Sequence, residues 1–159
     1  MATELTPLQT VPALDLEKYL GRWYEISRFP HGFEKSLVGV TAEYSLRKDG
    51  KVKVVNSGFK HTLDGKYSKV NAVAWRADDA IPGALKVKFF HLFTSDYLVI
   101  GLDEEDYSWA VVGNPDRSFI WFLSRTPEVS SDLLLLMKKI ATENGYDLSG
   151  LAMVLQQER

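Results

Sequence analysis

Histidine is the side chain best suited to proton transfer near neutral pH, and the sequence has three, His31, His61 and His91. They fall in a predicted loop, a turn and a strand end. No His-x-x-x-His spacing, Gly-x-Ser-x-Gly motif or phosphate-binding loop accompanies them, and there is no cysteine. The usual parts of a catalytic or metal site are therefore missing. We expect neither an enzyme nor a cofactor, although three scattered histidines could still meet in space.

Charge and hydropathy narrow the classes of partner. The 159 residues carry a formal charge of −2 and the basic residues are dispersed, which argues against a nucleic-acid partner. No apolar run reaches the roughly 18 residues of a membrane span, and residues 1–13 lack the basic and apolar regions of an intact signal peptide. The absence of cysteine leaves the redox compartment open. A chain of this length is most simply one domain with its own core.

A glycine and a tryptophan open the first alternating run, at Gly21 and Trp23. One hypothesis is that Trp23 closes one end of a β-barrel and that Arg125 stacks across its ring as a cation–π pair. The simpler alternative is a strand that carries a core tryptophan. Glu25 shares the pleat phase of Trp23, so it would point inward. A buried carboxylate must be paired, hydrogen-bonded or protonated there, and a structural pairing is favoured over a ligand contact.

Eight alternating runs follow one another with short turns between them. Asp49-Gly50 is a strong hairpin signal, and Pro82-Gly83 marks another turn. The predicted strands are 23–29, 38–46, 51–59, 66–75, 84–89, 97–102, 107–112 and 118–125. Closing eight such strands removes both sheet edges and encloses room for one small ligand.

The period changes to helical after Pro127. The predicted helix covers about 130–144, with Ser130 as N-cap and Asn144-Gly145 at its end. Its apolar stripe consists of Leu133, Leu136, Met137, Ile140 and Ala141. Tyr24 and Ile26, opposite to Trp23 in the pleat, could receive this helix outside the barrel. We therefore predict an all-β fold: an eight-stranded antiparallel up-and-down β-barrel with one C-terminal α-helix packed outside.

The two ends of the chain are less patterned. Residues 1–14 indicate an extended N-terminal arm, and residues 15–159 form the predicted barrel domain. Asp15 could cap one short helical turn before the first strand, and Val154 could belong to a short edge strand.

Three motifs in order resemble the lipocalin family. Gly21-Arg22-Trp23-Tyr24 is similar to the Gly-x-Trp motif of the first lipocalin strand, and Asn114-Pro115-Asp116 stands where the family has an acidic turn before its last strand. Ser124-Arg125-Thr126-Pro127 is similar to the third motif, whose arginine crosses the motif tryptophan. Residues 19–26, 40–46 and 119–127 most resemble the bacterial lipocalin branch, which is related to apolipoprotein D and plant temperature-induced lipocalins. The resemblance covers roughly residues 13–157.

The resemblance implies a carrier of small hydrophobic ligands such as fatty acids or lysophospholipids. It also favours the cell envelope, periplasm or outer membrane. Bacterial relatives are often anchored through an N-terminal cysteine, which this sequence lacks, and the stapling cysteines of many animal members are missing too.

Strand alternation predicts the residues that line the cavity. Small side chains among them would leave volume unfilled while aliphatic and aromatic ones make apolar walls, although the small residues could instead face larger partners and leave no cavity. The predicted ligand-binding residues are Glu25, Ser27, Phe29, Val40, Ala42, Tyr44, Val52, Val54, Asn56, Val70, Ala72, Ala74, Leu85, Val87, Phe89, Tyr97, Val99, Ala110, Val112, Phe119, Trp121 and Leu123. Gly21, Trp23 and Arg125 are predicted to close the barrel.

Polar groups near the open end would select the head group, with His31, Lys35, Asn56, Ser27 and Tyr97 as candidates. The 30–36 loop suits a flap, and the apolar tip at residues 90–93 is the candidate for a dimer or membrane contact. The expected partner is a small lipophilic ligand, and the chain is expected as a monomer or weak homodimer. A filled barrel that binds proteins through its loops remains an alternative. A cytosolic fatty-acid-binding barrel is disfavoured, because that fold inserts two helices between its first two strands.

Overall fold

The computed structural model describes residues 6–30, 32–89 and 94–159. Within these residues nine antiparallel strands form one sheet. The strands are β1 (Gly21–Arg28), β2 (Leu37–Leu46), β3 (Val52–Lys60), β4 (Tyr67–Arg76), β5 (Ala84–Lys88), β6 (Thr94–Leu102), β7 (Trp109–Gly113), β8 (Ile120–Ser124) and β9 (Ala152–Met153).

The first eight strands close on themselves. Each pairs with the next, and β1 pairs with both β2 and β8, while β9 adds a short pairing to the end of β1. The eight-stranded antiparallel up-and-down barrel is thus confirmed, and each strand begins and ends within three residues of its predicted bounds. The predicted strand 107–112 begins later, at Trp109, because Tyr107 has a left-handed backbone (φ 51°) and belongs to the preceding turn.

Helix α2 (Ser131–Glu143) packs outside the barrel as predicted. Its N-cap is Ser130, whose Oγ accepts a hydrogen bond from the Leu133 amide at 3.1 Å. Met137 and Ala141 are fully buried against a barrel face that includes Tyr24 and Ile26, so the proposed docking residues are the right ones. The members of the outer cluster are Tyr24, Ile26, Ile100, Val111, Ile120, Phe122, Met137, Ala141 and Tyr146.

The predicted helical stripe is wrong at Leu136, which is 43% exposed. The contact is centred on Met137 and Ala141, with Leu134 and Ile140 packed beside them, and this leaves Leu136 on the solvent side. Close packing is possible because residue 101 is glycine: a Cβ there would lie 3.0 Å from Ile140 Cδ1. No helix in the described part of the chain is long and apolar enough to cross a bilayer.

A β-bulge in β1 changes which side chains point inward. Glu25 pairs with Leu123 and Ser27 with Phe122, so Ile26 is the extra residue and the phase shifts by one. Ser27 therefore faces outward, where its Oγ donates to the Ala152 carbonyl at 3.0 Å. The inward orientation predicted for Ser27 is wrong.

The same phase shift sets the orientations of Phe29 and Arg28. The Phe29 ring packs 6.1 Å from the ring of Tyr146 in the outer cluster, so its predicted place in the cavity is also wrong. Arg28 instead pairs with Trp121 and points into the barrel, where it is only 4% exposed.

Residues 11–14 of the N-terminal arm pack against the barrel rather than extending into solvent. Helix α1 (Leu16–Tyr19) is capped by Asp15, as expected, through hydrogen bonds from the Glu17 and Lys18 amides. Val11 and Leu14, before it, are buried in the barrel's interior cluster. The arm and α1 therefore cover the end of the barrel at which β1 begins, which is called the closed end below.

Candidate functional site

The closed end is held by Arg125. Its guanidinium carbon lies 3.8 Å from the centroid of the Trp23 ring, which is the expected cation–π contact. Its three nitrogens also donate to backbone carbonyls of three segments: Tyr107 (3.0 Å), Arg22 (2.9 Å) and Lys18 (2.8 Å). The Trp23 ring is fully buried and donates to the Tyr19 carbonyl at 2.9 Å. One side chain thus ties α1, β1 and the turn before β7 together.

Gly21 suits this junction for two reasons. Its φ of 103° lies in a region that side chains rarely adopt, and a Cβ there would lie 3.2 Å from Arg125 Nη1. The turn that reaches Arg125 begins at Asp103 and ends at Tyr107. Asn114-Pro115-Asp116 joins β7 to β8, the last barrel strand, as expected, and this turn lies at the end of the barrel opposite Arg125.

Most residues predicted to line the cavity do meet inside the barrel. The shared interior cluster, with partly buried members last, contains Ala42, Tyr44, Val52, Val54, Ala72, Ala74, Leu85, Val87, Val99, Ala110, Val112, Leu123, Phe89, Tyr97 and Trp121. Their role as ligand contacts stays a prediction. The cluster also holds Val11, Leu14, Tyr19, Leu102 and Tyr107, which alternation alone did not place there.

Four other predicted residues are not members of this cluster. Val40 packs with Leu37 and Val154 in a small separate cluster, because a second bulge follows Val38, near Gly39 with its φ of 60°. Asn56 and Val70 pair with each other in the inward phase and are partly buried. Phe119 is half-buried and stacks on the Trp121 ring at 5.6 Å. His31 and residues 90–93 lie outside the described residues.

Three tyrosine hydroxyls meet inside the barrel. Tyr97 Oη lies 2.7 Å from Tyr19 Oη and 2.8 Å from Tyr44 Oη. Burial raises the pKa of all three phenols, so they stay protonated. Three hydroxyl hydrogens are then available for two hydrogen bonds, and one must find an acceptor outside the triad. An unpaired buried donor costs about 1–3 kcal/mol, so this position offers a donor to a water or ligand oxygen.

A buried charge cluster lies deeper along β1, toward the end opposite Trp23. Arg28 Nη1 donates to Glu25 Oε1 at 3.1 Å, and its Nε lies 3.9 Å from Glu34 Oε2. Arg28 Nη2 donates to the carbonyls of Glu34 (2.5 Å) and Leu37 (3.0 Å). Glu34 is supplied by a 3₁₀ segment, Gly32–Ser36, where the sequence suggested a flap. The guanidinium therefore anchors this segment to the barrel interior.

Burial favours the protonated form of both carboxyl groups of the cluster. Burial, followed by the negative charge of Glu34, holds the pKa of Glu25 well above its usual range despite the opposing effect of Arg28. Burial also raises the pKa of Glu34. With Glu25 protonated, the Arg28 and Glu34 charges balance.

The expectation that Glu25 points inward and is paired is therefore met in the structure, but its partners Arg28 and Glu34 were not foreseen. The sequence did contain a signal for Arg28. If a bulge is allowed within the run Ile26-Ser27-Arg28-Phe29, the alternation places this arginine inside the barrel rather than on its outer face. Among the described residues no group of three or more acidic or histidine side chains could hold a metal ion.

Comparison with known proteins places this barrel in a family. The family model described as a lipocalin-like domain matches residues 14–156. The chain belongs to this family. The outer membrane lipoprotein Blc of Vibrio cholerae is 39% identical over 150 residues, which cover 94% of this chain and 87% of the relative. Temperature-induced lipocalin-1 of Arabidopsis thaliana is 37% identical over 158 residues, covering 94% and 83%.

A solved structure supports the fold. Insecticyanin from the tobacco hornworm Manduca sexta superposes with a TM-score of 0.75 at 19% identity, covering 97% of this chain and 87% of insecticyanin. The resemblance to lipocalins and to their bacterial branch is thus confirmed. Lipocalins are known for binding and transporting small hydrophobic ligands, and the relatives that this chain matches are binding proteins rather than enzymes, as predicted.

Proposed function

We propose that the barrel interior binds and carries an amphiphile with a single acyl chain, either a fatty acid or a lysophospholipid. The observation that carries the proposal is the inner surface of β2, β4 and β7. Four alanines lie there among larger aliphatic residues: Ala42, Ala72, Ala74 and Ala110. The inner wall is therefore apolar, and at these positions short side chains extend less far into the barrel. One end of this space is closed by Trp23 and Arg125.

Burial of the chain would supply the affinity. An acyl chain that hides roughly 300 Å² would contribute about 7 kcal/mol at about 25 cal/mol per Å². After the costs of association this supports micromolar binding. Such burial depends on chain length more than on chemistry, so we expect broad selectivity among acyl chains.

The polar interior groups would orient the head group. Arg28 is already paired with Glu25 and Glu34 and donates to two carbonyls, so its charge is balanced although its Nε makes no hydrogen bond, and a ligand carboxylate gains little from it. The spare hydroxyl hydrogen of the tyrosine triad is a free donor for an ester or hydroxyl oxygen. These groups favour an uncharged or zwitterionic polar region inside the barrel over a buried carboxylate.

The cell envelope is the compartment we propose. The relative from Vibrio cholerae is an outer membrane lipoprotein that is similar over 94% of this chain. A monomer or weak homodimer remains our expectation for the oligomeric state.

Titration of the delipidated protein tests the proposal. Displacement of a fluorescent fatty acid by a series of saturated lysophosphatidylcholines should show one saturable site, and affinity should rise about fourfold for each added CH₂ until the cavity is full. Native mass spectrometry should count one lipid per chain. Binding that never saturates, or that does not depend on chain length, would contradict an interior acyl site.

A further inference from the structure

Positive charge is concentrated on one part of an otherwise acidic protein. Residues 47–88 contain ten lysines and arginines but only four aspartates, whereas the whole chain has a net charge of −2. This segment forms β3, β4 and β5 with their turns. The outer surface of these strands is therefore strongly cationic while the rest of the molecule is negative.

The register of β3, β4 and β5 places basic side chains on both sides of an outer groove, which is called the trough below. On the outer face Lys53 of β3 pairs with Val73 of β4, and Val73 pairs with Lys88 of β5. The two lysines stand about 10 Å apart across the shorter valine, because neighbouring strands are about 4.8 Å apart. Trp75 lies two residues further along β4, with Lys51 Nζ 5.1 Å from its ring centroid.

The trough has a volume of about 850 Å³. Its floor follows β4 and its walls are long basic side chains. Its lining includes Arg47, Lys51, Lys53, Val73, Trp75 and Lys88.

The cations of the trough are largely uncompensated. Arg47 Nη2 pairs with Asp49 at 2.8 Å, and the neighbouring Lys86 pairs with Asp96 at 2.5 Å. In the parts of the chain that the structure describes, neither Lys53 nor Lys88 has a carboxylate within 4 Å. Like charges gathered without counter-charges repel one another, and an anion between them would relieve that repulsion.

We propose that this trough docks the protein on a bilayer that contains anionic phospholipids. The phosphate groups would enter between the lysine walls, while Trp75 would lie at the level of the head groups, where amphipathic side chains are favoured. Because the chain as a whole has a net charge of −2, an anionic surface attracts this cationic face preferentially, so docking is also oriented. The assignment is independent of the ligand inside the barrel.

Charge reversal in the trough tests the proposal. Each cation at an anionic membrane surface strengthens binding about fivefold. The double variant Lys53→Glu/Lys88→Glu should therefore bind phosphatidylglycerol-containing phosphatidylcholine vesicles at least about 25-fold more weakly than the unchanged protein at about 0.1 M salt. Cosedimentation with vesicles measures this, and pure phosphatidylcholine vesicles should bind neither protein.

A matched control separates location from net charge. Lys138→Glu/Lys139→Glu makes the same change on α2, which packs over β6 and β7, away from the trough. It should weaken vesicle binding by less than about threefold, since screening limits each charge to about 10 Å. Equal losses in the two double variants, or no binding of anionic vesicles by the unchanged protein, would overturn the proposal.

Two further readouts complete the test. Polyglutamate in solution should not displace the protein from the vesicles when both carry the same concentration of negative charge. A trough that preferred polyglutamate would be a protein-docking site instead. The fluorescent fatty-acid titration should be unchanged in Lys53→Glu/Lys88→Glu, because both lysines point away from the barrel interior. Loss of the interior site and loss of membrane docking are thereby distinguished. Thermal melting of each variant confirms that it is folded.

Discussion

Arg28→Ala is expected to lower the free energy of unfolding by about 3–5 kcal/mol at neutral pH. The substitution removes the one cation between two carboxyl groups that are 4–5% exposed. It also leaves the carbonyls of Glu34 and Leu37 without their donor and releases the 3₁₀ segment from the barrel. Urea denaturation of the variant and the unchanged protein measures the difference.

An exposed pair of the same chemistry serves as the control. Arg22 Nη2 lies 2.8 Å from Glu43 Oε1, but the two side chains are 40% and 49% exposed. Arg22→Ala should therefore cost less than about 1 kcal/mol. Equal costs for Arg28→Ala and Arg22→Ala would show that the buried cluster does not stabilise the barrel as described.

The same cluster gives the stability a definite dependence on pH. Burial raises the pKa of Glu25 and of Glu34 above the ordinary value of 4.5, so the folded chain holds their protons more tightly than the unfolded chain. Stability from these groups is complete below pH 4.5 and falls as pH rises through the folded-state pKa values. Glu25→Gln should flatten this decline, because the glutamine amide stays neutral at every pH. A decline of unchanged slope would assign the proton to another group.

Arg125→Ala is the second substitution with a large expected effect. It removes three hydrogen bonds from a charged donor and the stacking on Trp23, and we expect a loss of about 3–4 kcal/mol in the free energy of unfolding. Ligand affinity should change by less than about threefold, because the side chain lies at the closed end of the barrel, beneath the proposed ligand site. Urea denaturation and lipid titration on the same samples separate the two quantities.

Arg125→Lys refines that prediction. A lysine keeps the positive charge over Trp23 but cannot donate to three carbonyls in the directions of a guanidinium. It should recover only a minor part of the lost stability. Unchanged stability together with lost ligand binding in Arg125→Ala would contradict a structural role for this residue.

The barrel itself could be predicted because the sequence patterns that specify its strands and turns are local. Hydrophobic alternation and turn residues such as Asp49-Gly50 act within a few residues, and they located all eight barrel strands. The pairing of Trp23 with Arg125 is not local, and only the resemblance to lipocalin motifs connected two residues so far apart in the sequence.

The inward positions of Arg28 and Glu34 could not be predicted, for a physical reason. A one-residue bulge at Ile26 exchanges the faces of every later residue in β1, so Ser27 and Phe29 turn outward and Arg28 turns inward. Alternation cannot reveal an extra residue, since each short piece still alternates. The burial of Glu34 could not be predicted for another reason: it depends on how the 3₁₀ segment folds back over the barrel.

The most direct test of an interior ligand site is the lysophosphatidylcholine titration on two neighbouring variants of β4. Ala72 points into the barrel and is 4% exposed, whereas Val73 points outward into the trough. Ala72→Phe should fill the cavity and weaken binding at least tenfold, with Ala72→Leu intermediate if the larger ring strains the fold. Val73→Phe should bind as the unchanged protein does. Equal affinities of Ala72→Phe and Val73→Phe, with both variants folded by circular dichroism, would contradict a ligand inside the barrel.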